Sequence, residues 1–291
     1  MINYRQATKK DIKIVADFIG ELNKKEENHI GYCGDNSDEI LNSLKEDITD
    51  ITFDKSFIIA TDKKELIGVL GFDADIENGN SEIWGPFIKQ SKWHIANEMW
   101  DKMTELLPKG IETISMFINI KNNNCLDLAK KLKFNKVSES KILEFNRSYL
   151  DNLDKEIINE LTSKHYEDMK ALHDRVFPNT YYSGKQIIDR INENRKLFAY
   201  IEDEKLMGYV YVEAEPDFGE GSIEFFAVDE SERGKGIGYK LLNMALKWLY
   251  SFNFMEQIVL SVGVDNKKAI SLYKKVGFKE KYQLCYLTKE I

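Results

Sequence analysis

Apolar and polar positions switch periodicity along this chain in an order that recurs. Phe57-Ile58-Ile59-Ala60 is a short apolar run, Thr61 to Glu65 is polar, and Leu66-Ile67-Gly68 opens a second apolar run, which reads as a β-hairpin. The pattern returns without a gap at Leu197 to Ile201, Glu202 to Lys205 and Leu206-Met207-Gly208, at an offset of 140 (208 less 68). Asn122 to Phe134 lies in the same way over Asn266 to Phe278, at an offset of 144 (278 less 134). Two ordered matches at nearly equal offsets predict two copies of one fold. The seam is expected near Arg147 to Asp154, giving domains 1–149 and 150–291.

Each copy reads as a strand, two helices, a hairpin, a third strand, a helix, a strand, a helix and a closing strand. Strand runs interleaved with helices predict a mixed α/β (α+β) sheet. In the second copy Ile157 to Leu161 restarts a strand, and Thr162-Ser163 caps a helix through Met169, Leu172 and Val176. Ser222 to Val228 is a strand, Ile237 to Tyr250 a helix, and Gln257 to Val264 a strand. Ala269 to Val276 is a helix and Tyr282 to Thr288 the closing strand. In the first copy Gly31 to Asn36 is a polar loop and Ile40 to Ile48 a further helical stretch.

Composition narrows the function classes. Of 291 residues 43% are apolar and 31% charged, an ordinary globular balance that excludes a disordered chain. The net charge of −8 disfavours nucleic-acid binding, which needs a basic surface, and suits a cationic or amine-bearing partner. Cys33, Cys125 and Cys285 are odd in number, far apart and without a CxxC pair, so neither a disulfide framework nor a zinc site is expected. No signal peptide or long apolar span is evident, so a cytoplasmic protein without a membrane partner is expected. His29, His94, His165 and His173 show no metal-ligand spacing, and no metal is expected.

The chemistry concentrates where an apolar strand ends at Val228 and Arg233-Gly234-Lys235-Gly236-Ile237-Gly238 opens an amphipathic helix. Amide hydrogens at a helix start have no intrahelical partner and lie at the positive end of the dipole, so they bind anions. Glycines allow the dihedrals and close approach such a cradle needs, and Arg233 and Lys235 add charge suited to phosphate. A dinucleotide fingerprint fails because its third glycine position is Tyr239, and no P-loop run occurs. Arg233-x-x-Gly236-x-Gly238, followed by Asn266-x-x-Ala269-x-x-Leu272-Tyr273-x-x-x-Gly277-Phe278, resembles the two signatures of the GCN5-related N-acetyltransferase (GNAT) superfamily. The likeness is strong over residues 157–291 and weak before them.

The resemblance implies two tandem GNAT folds, each a central, mostly antiparallel twisted sheet flanked by helices. It also implies acetyl-CoA as acyl donor and direct transfer of acetyl to a primary amine in a ternary complex. Arg233, Gly234, Lys235, Gly236, Ile237 and Gly238 would surround the diphosphate, with Tyr239 a further donor-binding residue. Main-chain groups of Phe226, Ala227 and Val228 would meet the pantetheine and thioester, with Asn266 and Ala269 alongside. Tyr273 would protonate the departing thiolate. From the residues alone Tyr273 is equally a packed helix tyrosine and Asn266 a helix N-cap. Glu224 is a candidate base because period-2 alternation carries it to the face of Phe226 and Val228; Glu213, Glu215 and Asp217 are rivals.

The first copy has no glycine between Phe87 and Ala96, and the second alignment sets Ala129 against Tyr273 and Lys133 against Gly277. A degenerate copy that supports the second is expected. Trp84, Trp93 and Trp100 read as core packing, and Cys285 as a small buried hydrophobe. The acceptor is expected to be a small molecule rather than a protein, and a homodimer is one assembly open to the chain. A non-catalytic acyl-CoA-binding regulator is the alternative function.

Overall fold

The computed structural model describes the chain except residues 1, 49, 154–158, 179, 181 and 216–218. The strand expected from Ile157 therefore lies in part outside the described residues, as does Asp217. The chain divides into two compact units, one of Met1–Ser140 with Tyr282–Ile291 and one of Lys141–Lys281.

The first unit opens with β1 (Ile2–Gln6), α1 (Ile12–Asn23), α2 (Ser37–Glu46) and the single turn α3 (Phe53–Ser56). The sheet continues through β2 (Phe57–Asp62), β3 (Glu65–Asp75) and β4 (Asn80–Ile88); α4 (Ala96–Thr104), β5 (Thr113–Asn119) and α5 (Asn123–Lys131) follow. The next strand, β6 (Asn135–Asn146), runs past the end of this unit. The pairs β1–β2 and β2–β3 are antiparallel, as is β3–β4, whereas β4 and β5 run parallel. The closing partner of β5 is the chain's last strand, β11 (Lys279–Glu290), antiparallel from Leu284 opposite Asn119 to Glu290 opposite Thr113. The sequence reading runs the second domain to Ile291, yet these residues pair inside the first unit. Leu284, Cys285 and Leu287 are buried here, and a strand partner so distant in sequence leaves no local trace.

The second unit holds α6 (Tyr166–Val176), α7 (Gly184–Asp189), β7 (Arg195–Glu202), β8 (Lys205–Glu215), β9 (Glu220–Val228), α8 (Ile237–Leu249), β10 (Gln257–Gly263) and α9 (Lys267–Val276). Among the described residues β7, β8 and β9 form a separate three-stranded antiparallel sheet, while β10 lies beside β6. One face of that sheet packs Val210 and Val212 against Leu241, Leu242 and Leu246 of α8. The opposite face packs Tyr209, Tyr211, Phe225 and Ala227 with Met169 and Leu172 of α6.

The repeat seen in sequence is also a repeat of backbone. Both hairpin turns place two consecutive residues at positive φ, Lys63 and Lys64 in one and Asp203 and Glu204 in the other. Both hairpins shift register two residues before the strand ends, after Ala60 and after Tyr200. Asn122 and Asn266 cap α5 and α9 with nearly the same dihedrals (φ −81°, ψ 69° and φ −80°, ψ 63°). Trp84 and Trp100 are buried, with Trp93 packed partly against the same core. The three cysteines are free and buried, and the expectation of a small buried side chain applies to Cys285. Among the described residues no helix is long and apolar enough to cross a membrane.

Candidate functional site

The start of α8 is built by three glycines for two physical reasons. Gly234 and Gly236 have φ of 86° and 81°, the left-handed region that side chains resist, and nothing lies within 4 Å of where a Cβ would stand. Gly238 is tight instead: a Cβ there would lie 2.8 Å from Phe226 Cζ and 3.0 Å from Leu272 Cδ2. This one residue therefore sets how closely α8 approaches β9 and α9.

Gly236 is the N-cap and has no side chain to offer. The first helical bond runs from Lys240 N–H to the Gly236 carbonyl at 3.2 Å, so the amides of Ile237, Gly238 and Tyr239 have no carbonyl one turn back. The corresponding start in the first unit differs. A 3-10 turn over Gln90–Ile95 runs straight into α4, and the Ala96 amide is taken by the Trp93 carbonyl. Lys133 there holds the left-handed turn (φ 65°) that Gly277 supplies after α9 (φ 121°).

Beside α8, the outer edge of β9 is open within its sheet. Asp229 N–H reaches back to the Met207 carbonyl of β8 at 2.9 Å. Backbone groups alternate sides along a strand, so Ala227 also faces β8, while Phe226 and Val228 turn theirs to the open edge. The Val228 carbonyl on that edge accepts from Arg233 Nε at 3.2 Å. Ala227 is not part of this edge: its methyl is buried in the cluster beneath α6.

The loop's cations are held by neighbouring carboxylates. Arg233 Nη1 pairs with Glu230 at 3.1 Å, and Lys235 Nζ with Glu232 at 2.6 Å. The Lys235 hydrogen bond holds the Glu232 carboxyl below its usual range. Asp229 accepts from the Ser231 amide at 3.0 Å and from Arg175 at 2.8 Å, which fixes the turn. Both basic partners are more than half exposed, so their pairs are worth little and exchange readily for a more highly charged anion.

On α9 the Asn266 side chain accepts from the Ala269 amide at 3.2 Å and caps the helix. Tyr273 sits two turns on, its ring edge-on to Phe278 at 5.5 Å. Burial pushes its phenol above 10, so it is protonated at neutral pH. Phe226, Val228, Tyr239, Ala269, Leu272 and Tyr273 all pack, partly buried, on one core, which also holds the buried Ile237.

The candidate bases separate. Between Phe225 and Ile223 the register against β8 shifts, and Glu224 is the extra residue of that bulge. The strict alternation that would carry Glu224 to the face of Phe226 and Val228 is interrupted there, and Ile223, opposite Val212, shares that face instead. Glu213 is engaged by Arg190, Arg195 and Tyr211. Burial alone would raise its carboxyl, but these hydrogen bonds outweigh burial and hold it below its ordinary value. Glu215 pairs with Arg195 at 3.0 Å. Among the described residues no group of three or more His, Cys, Asp or Glu side chains is arranged to hold a metal.

An uncapped, glycine-opened helix start lies at the end of β9, an edge strand of its sheet, and the fold around it is that of GNAT structures. Residues 161–278, less than half of the chain, match the acetyltransferase (GNAT) family. A GCN5-related N-acetyltransferase from Sphaerobacter thermophilus has a similar fold over 99% of this chain and 95% of its own, with a TM-score of 0.65 at 13% identity. A tandem GNAT protein from the clavulanic acid biosynthesis pathway matches over 100% of this chain and 98% of its own, with a TM-score of 0.58 at 12% identity. An N-alpha-acetyltransferase of Sulfurisphaera tokodaii is 33% identical over 104 residues, 32% of this chain and 62% of that protein. The chain thus spans less than two thirds of the length of this curated relative.

Proposed function

We propose that the protein is an acyltransferase that moves an acetyl group from acetyl-CoA to a primary amine, with the chemistry in the second unit. One observation carries the reading: the free amides opening α8 lie at the end of β9, whose Phe226 and Val228 main-chain groups face an open edge. The amides of residues 237–239, with those of the glycine turn, would hold the donor's diphosphate, and Arg233 and Lys235 would leave their carboxylate partners for it. Phe226 and Val228 would bond the pantetheine and the thioester, with Asn266, Ala269 and Tyr239 flanking the same slot.

Transfer would be direct, within one complex of donor and acceptor. Tyr273, kept protonated by burial, would give its proton to the sulfur as the thiolate leaves. Glu224, displaced by its bulge from the packed face, would take the proton the amine must lose before attack. Glu213 is unsuited to that task, since two guanidinium groups hold it as a weakly basic anion. The net charge of −8 suits a cationic small-molecule acceptor. The first unit, with a 3-10 turn in place of the cradle, would serve as a supporting copy without donor binding.

Titration calorimetry with acetyl-CoA tests the reading. Gly236→Ala and Gly236→Asp both put a side chain at φ 81°, and only the aspartate adds a negative charge. The aspartate variant is expected to bind at least tenfold more weakly than the alanine variant. Equal affinity of the two would refute the cradle. Tight binding with no coenzyme A released across an amine panel would favour the regulator.

A further inference from the structure

A strand has two edges, and the backbone groups of β5 alternate between them. One edge pairs with β11 from Thr113 to Asn119. The other pairs with β4 only at Thr113 to Ser115, opposite Asn80 to Glu82. Beyond Ser115 that edge is taken by a segment of the connection between α1 and α2, where Ile30 forms an antiparallel bridge with Ile118. Gly31 N–H donates to the Phe117 carbonyl at 2.7 Å, and Asn119 N–H to the His29 carbonyl at 3.2 Å. Ile118 already has Cys285 of β11 on its other side, so Ile30 lies on the side of β4.

The same place in the second unit is the slot assigned above to the donor's arm. The strands β4 and β9 correspond at an offset of 140 (220 less 80), and β5 and β10 at 144 (257 less 113). Lys89 N–H reaches the Ile67 carbonyl at 2.9 Å, as Asp229 N–H reaches Met207. Pro86 and Ile88 therefore turn their main-chain groups to the outer edge, as Phe226 and Val228 do. Pro86 has no N–H to offer there. Its carbonyl lies 3.7 Å from the thiol of Cys125, the counterpart of Ala269 at the offset of 144. Asn122, the counterpart of Asn266, directs its amide nitrogen to the His29 carbonyl at 3.5 Å. The chain itself thus engages the counterparts of the groups that would hold a donor.

The inserted residues are firmly anchored. Ile30 is fully buried, and its N–H donates to the buried side chain of Asn23 at 2.7 Å. The same side chain donates to the carbonyls of Cys33 at 2.8 Å and Gly34 at 2.9 Å. His29 Nδ1 donates to the Asn23 carbonyl at 2.9 Å, and the ring stacks on Tyr282 at 3.9 Å. A Cβ at Gly31 would lie 2.6 Å from both Phe117 Cδ1 and Leu284 Cδ1, so the close approach depends on glycine. The connection has the length to reach this place: 13 residues join α1 to α2 (36 less 23), against 7 from α6 to α7 (183 less 176).

We propose that residues 29–31 are a built-in strand that permanently fills the first unit's donor slot, so that the chain binds one acetyl-CoA and not two. Closure of the first unit then has a cause beyond the lost glycine turn, namely a stretch of its own backbone in the position of the ligand. The count of one rests on donor binding by the second unit, whereas the filled slot does not.

Amide hydrogen exchange of the full chain, read residue by residue with and without saturating acetyl-CoA, tests this together with calorimetric stoichiometry. Gly31 and Asn119 should exchange at least about 10³-fold more slowly than in an unstructured peptide, and keep that protection when acetyl-CoA is added. One equivalent of acetyl-CoA should bind. Rapid exchange at Gly31 and Asn119 in the donor-free chain would overturn the proposal. So would loss of their protection on adding acetyl-CoA, or binding of two equivalents. If no acetyl-CoA binds, the donor reading of the second unit fails, and exchange at Gly31 and Asn119 still decides whether the slot is filled.

Discussion

Gly238→Ala separates close packing from backbone freedom as the reason for the third glycine. In an ordinary helix interior this change is favourable by about 1 kcal/mol. Here the added methyl would sit 2.8 Å from Phe226 Cζ and 3.0 Å from Leu272 Cδ2, so both side chains must shift. Overpacking of this kind costs about 1–3 kcal/mol, with the lower end apt because Phe226 is only partly buried. The net expectation is a second unit between unchanged and about 2 kcal/mol less stable; at roughly 2–4 °C per kcal/mol, Tm falls by at most ~8 °C. The same shift moves Phe226 at the strand edge, so acetyl-CoA affinity should fall further than stability does. Calorimetric unfolding and acetyl-CoA titration on one preparation measure both. A variant that gains the full 1 kcal/mol of helix propensity and binds acetyl-CoA as before would refute the packing account.

Three further outcomes are expected. Tyr273→Phe should lower kcat by roughly 10²-fold or more while leaving acetyl-CoA affinity unchanged, read by thiol release and calorimetry; equal turnover would remove it as the acid. Asp73 is raised from 3.8 to about 6, by burial first and Asp50 next. The folded chain then holds this proton more tightly than the unfolded one, so stability falls as pH rises from about 4 through 6. Asp73→Asn should therefore raise the unfolding temperature at pH 7.5 and leave it unchanged below pH 4. The Glu213 contribution has the opposite sign, being present above 4.5 and lost as pH falls below it. Deleting Tyr282–Ile291 should unfold the first unit, because it removes the pairing of Leu284–Glu290 with β5 and three buried side chains worth about 1.5–3 kcal/mol each. Loss of the cooperative transition in calorimetry checks this.

What was legible in the sequence was local. The hairpins at the offset of 140 carry their turn in a few polar residues, and the start of α8 carries its glycines, so both could be read directly. The distinction between Gly234 and Gly236, needed for φ, and Gly238, needed for contact, depends on Phe226 and Leu272 and exists only in three dimensions. The bulge at Glu224 escaped because alternation continues smoothly in the letters while the partner strand slips by one. The facing of Asp73 by Glu82 was hidden for the same reason: cross-strand neighbours are set by register, and nothing near Asp73 in sequence announces Glu82.

The route of the chain through the two units bears on its synthesis. Residues leave the first unit after Ser140 and return at Tyr282, so the strand that closes the first sheet is made only after the whole of the second unit. On the ribosome the earlier unit waits with β5 unpaired along one side while the whole of the later unit emerges. A strand edge exposed for that interval is prone to pairing with another nascent chain. Slowing elongation over the later half would lengthen that window and should increase aggregation without altering a single contact of the finished protein.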